Sequence, residues 1–269
     1  MKNKVVIITG ASSGIGKALA EECARKGALT VLSARNFEAI SEISNSLNQK
    51  NYSTVAFQAD VSIEEDCKNL IDFCIKTYGK IDVMINNAGI SMRAVFSELD
   101  LDVIRKVMDV NFWGAIYCTH YALPHLLKSG GSVVGISSIA GNKGLPARTG
   151  YSASKFALQG FLEVLRIENL KTNLHVLIVC PGFTASNIRK TALSKDGSMQ
   201  GESPRDEDKM MTSETVAKEI IKAIHKRKRL LLLTPQGKFI VWMNKFFPAL
   251  MDKIIYNHML KEPNSPLIK

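Results

Sequence analysis

Short apolar runs alternate with longer amphipathic stretches along most of the chain. The apolar runs are rich in β-branched residues and are bounded by turn residues, which predicts strands buried on both faces. These runs are Val5–Thr9, Leu29–Ala34, Tyr52–Phe57, Ile81–Ile85, Gly131–Ser138, Leu174–Cys180 and a seventh at about Leu230–Leu233. Because helical stretches separate the runs, we expect a single α/β sheet that is parallel and doubly wound, with about seven strands and helices on both faces.

Residues with helical periodicity fill the intervals between the apolar runs. The predicted helices are Lys17–Lys26, Phe37–Lys50, Ile63–Tyr78, Leu101–Leu127 and Tyr151–Leu170. The fourth helix carries Asn111 among apolar residues and is expected to break near Gly114 and Pro124. The stretch Thr191–Met211 is rich in Gly, Ser, Lys, Asp and Glu. It predicts either a disordered loop or a lid over a crevice.

The last part of the chain has its own helical pattern. Large apolar residues recur there at three- and four-residue spacing, namely Phe239, Met243, Phe246, Leu250 and Ile254. Pro248 should divide this pattern into two helices, with the second beginning near that residue. We therefore divide the chain into a main domain, residues 1–236, and a C-terminal helical extension, residues 237–269, packed on the same domain.

Positive charge is concentrated in the same region. Ten Lys and Arg residues and only two acids, Asp252 and Glu262, lie between Lys222 and Lys269, so this stretch carries +8 of the net charge of +10. Lysines inside the apolar stripe exclude a membrane span, which leaves packing on protein or contact with an anionic membrane surface. Packing on protein is the commoner outcome and the one we favour. A basic tail is not a recognition motif, so we expect no nucleic-acid partner.

The cysteines and the first residues bear on the cellular compartment. The five cysteines, Cys23, Cys67, Cys74, Cys118 and Cys180, are dispersed and show no metal-ligand spacing. An odd, scattered set predicts reduced thiols, a cytoplasmic protein and no metal site. The first apolar run ends at Gly10 without a small-residue cleavage site, which is typical of a strand rather than of a signal peptide.

A glycine-rich turn follows the first strand and opens the first helix. Glycines in such a turn let the backbone approach a pyrophosphate, and the helix N-terminus supplies N–H groups and a positive dipole end. The spacing here is G-x-x-x-G-x-G. A Rossmann-type dinucleotide site is therefore predicted, with contacts from Gly10, Ser12, Ser13, Gly14, Ile15 and Gly16.

The end of the second strand distinguishes between the two nicotinamide dinucleotides. A carboxylate there would hold a ribose 2′-hydroxyl, but the chain has Ser33-Ala34-Arg35-Asn36. Arg35 without a neighbouring acid predicts binding of a 2′-phosphate, and therefore of NADP(H). The alternative is that Arg35 only lies in solvent at the end of the strand. Asp60 and Val61 follow the third strand and are predicted cofactor contacts. The Asp60 carboxylate would accept a hydrogen bond from the adenine amino group, and the alternative for Asp60 is an ordinary helix cap.

Tyr151 and Lys155 are four residues apart and so share one face of a helix. An ammonium close to a phenol should lower the phenol pKa, which suits the phenol to exchange a proton with a carbonyl or an alcohol. Ser138 ends a predicted strand, where a hydroxyl points into the ligand crevice of an open α/β sheet. Taken alone, the Tyr-x-x-x-Lys spacing is common on amphipathic helices.

Together these motifs resemble the classical short-chain dehydrogenase/reductases over roughly residues 4–188. The matching motifs are Thr9–Gly16, Asn86–Gly89, Asn111, Ser138, Tyr151–Lys155 and Pro181–Gly182. The resemblance implies that Tyr151 is the acid/base and that Ser138 orients the reacting oxygen. It also implies that Lys155 lowers the Tyr151 pKa and binds the nicotinamide ribose, and that Asn111 holds a water of a proton relay.

Further cofactor contacts are implied by the same resemblance. They come from Asn87, Ala88, Gly89, Tyr151, Lys155, Pro181, Gly182, Thr184 and Ser186. After Pro181-Gly182 the chain departs from the family pattern, because Thr184 stands where an aliphatic residue is common and Ser186 where a Thr is common. We expect the Ser186 hydroxyl and the Thr184 backbone to contact the carboxamide.

The motifs predict an NADP-dependent oxidoreductase that transfers a hydride between NADP(H) and a carbonyl or alcohol. The predicted pocket wall consists of Met92, Ile139, Ala140, Leu145, Ala147 and Phe183, which indicates an apolar substrate. Two alternatives remain, a 3-oxoacyl thioester reductase and a dinucleotide sensor without catalysis. A sensor need keep only the glycine-rich turn. The apolar helices Leu101–Leu127 and Tyr151–Leu170 resemble those that pair in this family, so a homodimer or homotetramer is expected.

Overall fold

The computed structural model describes residues 1–268, and their strands form a seven-stranded sheet. The strands are β1 (Val5–Thr9), β2 (Leu29–Ala34), β3 (Thr54–Gln58), β4 (Val83–Asn86), β5 (Ser132–Ile136), β6 (His175–Cys180) and β7 (Leu230–Leu232). Every pairing is parallel, in the order β3-β2-β1-β4-β5-β6-β7. The predicted parallel, doubly wound sheet is confirmed.

The strand order changes direction between β1 and β4. The chain first winds outward to β3 and then returns to place β4 on the other side of β1. Thr9 at the end of β1 pairs in register with Ser33, and Ile8 pairs with Ile85. Ligands of open α/β sheets bind where the carboxyl ends of strands meet such a reversal.

Helices cover both faces of the sheet. They are α1 (Gly14–Arg25), α2 (Phe37–Asn48), α3 (Glu64–Tyr78), α4 (Leu101–Met108), α5 (Gly114–Ser129), α6 (Thr149–Glu168), α7 (Ser213–His225), α8 (Pro235–Phe246) and α9 (Pro248–Leu260). One apolar layer packs α1, α2 and α7 on the sheet, and the other packs α3, α5 and α6. Alternate residues of β1 enter the two layers, Val6 and Ile8 the first and Val5 and Ile7 the second. This two-sided burial explains the uninterrupted apolar runs.

The predicted breaks at Gly114 and Pro124 are wrong. A π-helical turn, Asp109–Trp113, joins α4 directly to α5, and Pro124 lies inside α5. A Cβ at Gly114 would lie 2.7 Å from a side-chain carbon of Val61, so the glycine permits close packing rather than a break. The widened turn is centred on Asn111, and turns of this kind are frequent at functional sites.

The C-terminal extension forms two helices, and α9 begins at Pro248 as predicted. The residues that face the domain differ from the predicted stripe. Among the five residues of that stripe, only Met243 packs on the interior. The inward residues include Ile240, Met251, Ile255 and Met259, and the other four predicted residues are exposed. Each helix therefore carries two overlapping apolar stripes, and the stripe that packs on the domain is the one richer in Met and Ile.

The irregular stretch Thr191–Met211 is tied to its surroundings by backbone bridges. Leu193 bridges to Met92, and Met211 bridges to Thr184. Of the two expectations for this stretch, these contacts favour a segment ordered against the rest of the domain. Within residues 1–268, no helix combines the length and the apolar character that crossing a bilayer requires.

Candidate active site

The glycine-rich turn fits tightly against the end of β4. A Cβ at Gly16 would lie 2.1 Å from the Gly10 carbonyl oxygen, and one at Gly10 would lie 2.8 Å from the Ala88 Cα. Gly10 also has a φ of +65°, which side chains disfavour. Ser13 is the N-cap residue of α1, and its side chain makes no capping hydrogen bond, so N–H groups of the first helical turn remain available for a phosphate.

Asparagine and threonine side chains fix the strand ends at the β1–β4 reversal. The Thr9 hydroxyl oxygen accepts hydrogen bonds from the N–H groups of Asn87 and Ala88, each at 3.1 Å. The Asn87 amide donates in return to the carbonyl oxygens of Thr9, at 2.9 Å, and Gly10, at 3.2 Å. The Asn86 amide donates to the Thr119 hydroxyl at 2.9 Å. These bonds hold the floor of the crevice rigid.

Arg35 is an exposed cation at the end of β2. Its guanidinium lies 3.8 Å from the Asp60 carboxylate, and its side chain is 67% exposed. Asp60 accepts bonds from the backbone and the hydroxyl of Ser62, at 3.0 and 2.7 Å. These bonds close a turn before α3, but the N-cap of that helix is Ile63 without a side-chain cap, so the predicted helix cap is not formed and the adenine contact of Asp60 stays a prediction. An exposed pair at this distance is weak, so Arg35 is free to reorient toward a phosphate.

The structure brings Ser138, Tyr151 and Lys155 together at the carboxyl end of β5. Lys155 is buried and donates to the Ile136 carbonyl at 2.9 Å, and its ammonium lies 5.7 Å from the centre of the Tyr151 ring. Ser138 caps the short turn Ile139–Gly141 by accepting from the Ala140 N–H at 3.1 Å. The Ser138 side chain also favours a lower pKa of the Tyr151 phenol.

The pKa values of the two central groups shift because both are buried. Burial raises the pKa of Tyr151, although the hydrogen bond with Ser138 and the charges of Arg189 and Arg148 oppose the rise. Burial lowers the pKa of Lys155 to about 8. The expected lowering of the Tyr151 pKa is therefore wrong for the chain by itself. The loss of hydration around the phenol outweighs the stabilisation of the phenolate.

Asn111 uses its side chain to position its neighbours. Its amide nitrogen donates to the Ile90 carbonyl and to the Ser154 hydroxyl, both at 2.9 Å, and its oxygen accepts from the Ile90 N–H at 2.8 Å. A Cβ at Gly89 would lie 3.2 Å from that oxygen and 3.4 Å from the Lys155 nitrogen. Asn111 thus lies near Lys155 as a satisfied buried amide, and its water-holding role stays a prediction.

The segment after β6 passes over the glycine-rich turn. A Cβ at Gly14 would lie 3.2 Å from the Ser186 Cβ. The Ser186 N–H donates to Glu207 at 3.1 Å, and the Thr184 carbonyl accepts from Arg189 at 2.6 Å. At the start of this segment, the Pro181 carbonyl accepts from the Ile139 N–H at 3.1 Å. The segment reaches the predicted cofactor crevice, while its Thr184 carbonyl is already engaged by protein.

Several residues predicted to line the pocket belong to the core instead. Met92 and Ala140 have no exposed surface, and Ile139 and Ala147 are each 7% exposed. Met92 packs with Val103, Val107 and the Tyr151 side chain in a small apolar cluster. The four residues therefore offer little or no surface to a ligand. Leu145 and Phe183 are partly buried and pack near the C-terminal extension.

A cluster of charges beside the crevice was not anticipated from the sequence. Arg93, Arg148 and Arg205 come from three separate segments and meet the Glu262 carboxylate at 3.6, 3.6 and 2.6 Å. Arg93 also donates to the Pro263 carbonyl at 2.7 Å. The charged partners lie more than 50 positions from Glu262 along the chain, so no local pattern reveals the cluster. In the sequence, the one hint of this cluster is Arg148, which lies three residues before Tyr151.

Burial disfavours the positive charges of this cluster. It lowers the pKa of Arg93, and it lowers that of Arg148 to about 10, with the Glu262 carboxylate opposing both shifts. Arg205 stacks on the Phe183 ring, 3.9 Å from its centre, and contacts His258 of α9 at 3.1 Å. Glu262 thus fastens the C-terminal extension to the segments on either side of Tyr151.

Comparisons with known proteins agree with this geometry. A family model described as short chain dehydrogenase matches residues 4–197. A Dictyostelium discoideum protein named dehydrogenase/reductase SDR family protein 7-like is 37% identical over 259 residues, which cover 93% of this chain and 80% of that protein. The 11-beta-hydroxysteroid dehydrogenase A of Arachis hypogaea is 43% identical over 207 residues, which cover 76% of this chain but only 58% of that protein.

A solved structure gives the same fold. The short chain dehydrogenase/reductase from Burkholderia phymatum, in complex with NAD, matches with a TM-score of 0.83 at 23% identity. The match covers 93% of this chain and 95% of that one. At 23% identity, this match shows a shared fold and nothing about activity.

Proposed function

This chain belongs to the short chain dehydrogenase family, an oxidoreductase family acting on CH–OH and C=O groups, and from this premise we propose that it transfers a hydride between NADP(H) and an apolar carbonyl or alcohol. The observation that carries the proposal is the meeting of Ser138, Tyr151 and Lys155 beside the glycine-rich turn at the β1–β4 reversal. A proton donor and a dinucleotide crevice at one point are what carbonyl reduction needs.

In the direction of reduction, NADPH when bound supplies the hydride that forms the new C–H bond. The Tyr151 phenol gives its proton to the carbonyl oxygen, and the Ser138 hydroxyl donates a hydrogen bond to the same oxygen. The raised pKa of Tyr151 keeps the phenol protonated, as a donor must be. Lys155 lies on the same side of α6 with a pKa of about 8, so it carries a positive charge at neutral pH, 5.7 Å from the centre of the ring on which the phenolate forms.

The choice of NADP(H) rests on Arg35, since the Burkholderia phymatum structure holds NAD. We predict that Arg35→Ala weakens NADPH binding by about 1.5–3 kcal/mol, the usual worth of a charged hydrogen bond, and leaves NADH binding nearly unchanged. Titration calorimetry with both dinucleotides measures the two effects. Lys17→Ala is the matched control, because Lys17 is an exposed cation of α1 close to the turn. Equal affinity of the native protein for NADPH and NADH would refute the assignment.

One activity screen distinguishes the three candidate functions, namely carbonyl reductase, 3-oxoacyl thioester reductase and dinucleotide sensor. NADPH oxidation is followed against a panel of apolar ketones, aldehydes and 3-oxoacyl thioesters. The proposal expects turnover of ketones or aldehydes. Turnover confined to thioesters would favour the thioester reductase, and tight NADPH binding without any turnover would favour a dinucleotide sensor. The hydroxysteroid dehydrogenase named above is one reason to include steroid ketones in the panel.

We also propose that the protein assembles through α5 and α6 as a dimer or tetramer. Exposed apolar side chains include Phe156, Val164 and Ile167 on α6 and Trp113 in the turn directly before α5, each at least 44% exposed. We predict a dimeric or tetrameric mass in light scattering at micromolar concentration. Val164→Asp together with Ile167→Asp should shift the mass to the monomer, because buried unpaired carboxylates oppose association. A monomeric mass for the native protein would contradict the proposal.

A further inference from the structure

The C-terminal extension exposes an apolar surface on the side that faces away from the domain. Its six members, 43% to 57% exposed, are Phe239, Trp242, Phe246, Phe247, Leu250 and Ile254, here called the tail patch. On α8 the members are spaced by three and four residues, and the same spacing repeats after the Phe246–Phe247 junction and along α9. Such spacing places the residues of each helix in one stripe.

The tail patch is not needed to hold the extension on the domain. Met251, Ile255 and Met259 on the opposite side of α9 are at most 5% exposed, and they pack with Ile240 and Met243 of α8. The inward face is therefore satisfied without any member of the patch. Exposed apolar patches of this kind on folded proteins mark sites of contact with another surface.

The charges around the tail patch are positive. Lys238, Lys245 and Lys253 are exposed on the same two helices, and the Lys245 ammonium lies 6.0 Å from the centre of the Phe246 ring. Asp252 is the only acid between Pro235 and Lys261, and it pairs with Lys143 of the main domain. Aromatic side chains beside lysines are typical of helices that lie in a membrane interface, where the amines reach lipid phosphates.

We propose that α8 and α9 dock the protein on the surface of an anionic lipid bilayer. The tail patch would enter the boundary between headgroups and acyl chains, and Lys238, Lys245 and Lys253 would lie at the phosphates. The helices are too short to span a bilayer, so the contact is peripheral. A second copy of this chain fits the patch poorly, because pairing two copies here would bring lysines together without acids between them.

The basic cluster Lys226–Arg229 lies at another place in the fold. It precedes the amino end of β7, whereas α8 follows the carboxyl end of that strand. The cluster is exposed, and it therefore provides a control of matched charge. Leu230 on β7, 45% exposed, provides a matched apolar control.

The test is co-sedimentation of the full chain with lipid vesicles. We expect binding to vesicles of phosphatidylserine and phosphatidylcholine at low salt, much weaker binding to phosphatidylcholine alone, and partial release at high salt. Replacement of Phe239, Trp242 and Phe246 by Ser should weaken partitioning by about a hundredfold or more, given about 0.8 kcal/mol for each buried CH2. Lys238→Gln, Lys245→Gln and Lys253→Gln together should remove the preference for anionic lipid and weaken binding to it by about a hundredfold, at about 1 kcal/mol for each lysine.

The controls separate docking from general charge and from misfolding. Lys226→Gln, Lys228→Gln and Arg229→Gln remove the same charge, and Leu230→Ser removes exposed apolar surface, yet both variants should bind like the native protein. Trp113→Phe leaves Trp242 as the single tryptophan, and its emission should shift to the blue on vesicles. Circular dichroism verifies the fold of each variant.

Two kinds of result would overturn the proposal. One is a native protein that stays in the supernatant with every vesicle. Self-association through the tail patch would count equally against the proposal, and it would appear as a smaller particle mass of the triple Ser variant than of the native protein. The other is equal loss of lipid binding in the Lys226–Arg229 control, which would indicate unspecific attraction of a basic protein.

Discussion

Replacement of Tyr151 by Phe is expected to lower turnover by about a thousandfold, within the range that general acid catalysis contributes. The change removes the phenolic proton and keeps the ring, which packs with Met92 and the α4 residues Val103 and Val107. NADPH affinity should therefore change little. Stopped-flow NADPH oxidation measures the first effect, and calorimetric titration measures the second.

Tyr121→Phe is the matched control for this variant. Tyr121 also donates its hydroxyl hydrogen bond, to Glu64 at 2.8 Å, but it does so on the exposed surface of α5. The control should turn over at the native rate. A Tyr151→Phe protein with near-native turnover would show that the proton comes from another group.

Replacement of Glu262 by Gln is expected to destabilise the protein by about 3–5 kcal/mol, the usual cost of removing one partner of a buried ion pair. The amide keeps the shape of the side chain but leaves the charges of Arg93, Arg148 and Arg205 without their carboxylate. All four side chains are at most 17% exposed, so solvent offers little screening. Chemical denaturation monitored by circular dichroism measures the change.

Glu219→Gln is the control for the Glu262 variant, because Glu219 pairs with Lys222 on an exposed face of α7. Exposed pairs are worth about 0–1 kcal/mol, so the control should unfold nearly like the native protein. Below its unfolding transition, the Glu262→Gln protein should show a raised KM for substrate and nearly native NADPH affinity. Arg148 adjoins the α6 segment that carries Tyr151, whereas the glycine-rich turn lies apart from the cluster. Equal stability of the Glu262→Gln protein and the native one would refute the fastening role.

Much of the fold could be predicted because its signals are local. Both layers of helices bury β1, and so its four apolar residues are uninterrupted in the sequence. The glycine-rich turn is equally legible, since the contact between Gly16 and the Gly10 carbonyl tolerates no side chain. Strand ends and helical spacing, which are also local properties, predict that Ser138, Tyr151 and Lys155 form the candidate site.

The features that sequence reasoning missed depend on distant partners. Gly114 is typical of a helix break in the sequence. In the fold, a glycine is needed there because Val61 from another segment approaches the helix too closely for a side chain. The direction of the Tyr151 pKa shift depends on how deeply the fold buries the phenol, which spacing along a helix does not reveal. Glu262 is one acid in a basic tail, and its partners become visible only when three segments fold together.

The tail illustrates the same limit. Both α8 and α9 carry two overlapping apolar stripes, and periodicity alone does not select the inward one. The domain buries Met251, Ile255 and Met259 and leaves the tail patch outside.

The central claim is hydride transfer from NADPH to a carbonyl carbon at Tyr151, and isotope transfer tests it most directly. NADPH that carries deuterium at C4 of the nicotinamide is incubated with the protein and the most reactive ketone of the panel, and the product is analysed by mass spectrometry and NMR. We predict deuterium on the carbinol carbon and a solvent proton on its oxygen, with neither product nor transfer above background in Tyr151→Phe. Deuterium that remains on the dinucleotide while NADPH binds tightly would contradict hydride transfer and indicate a sensor.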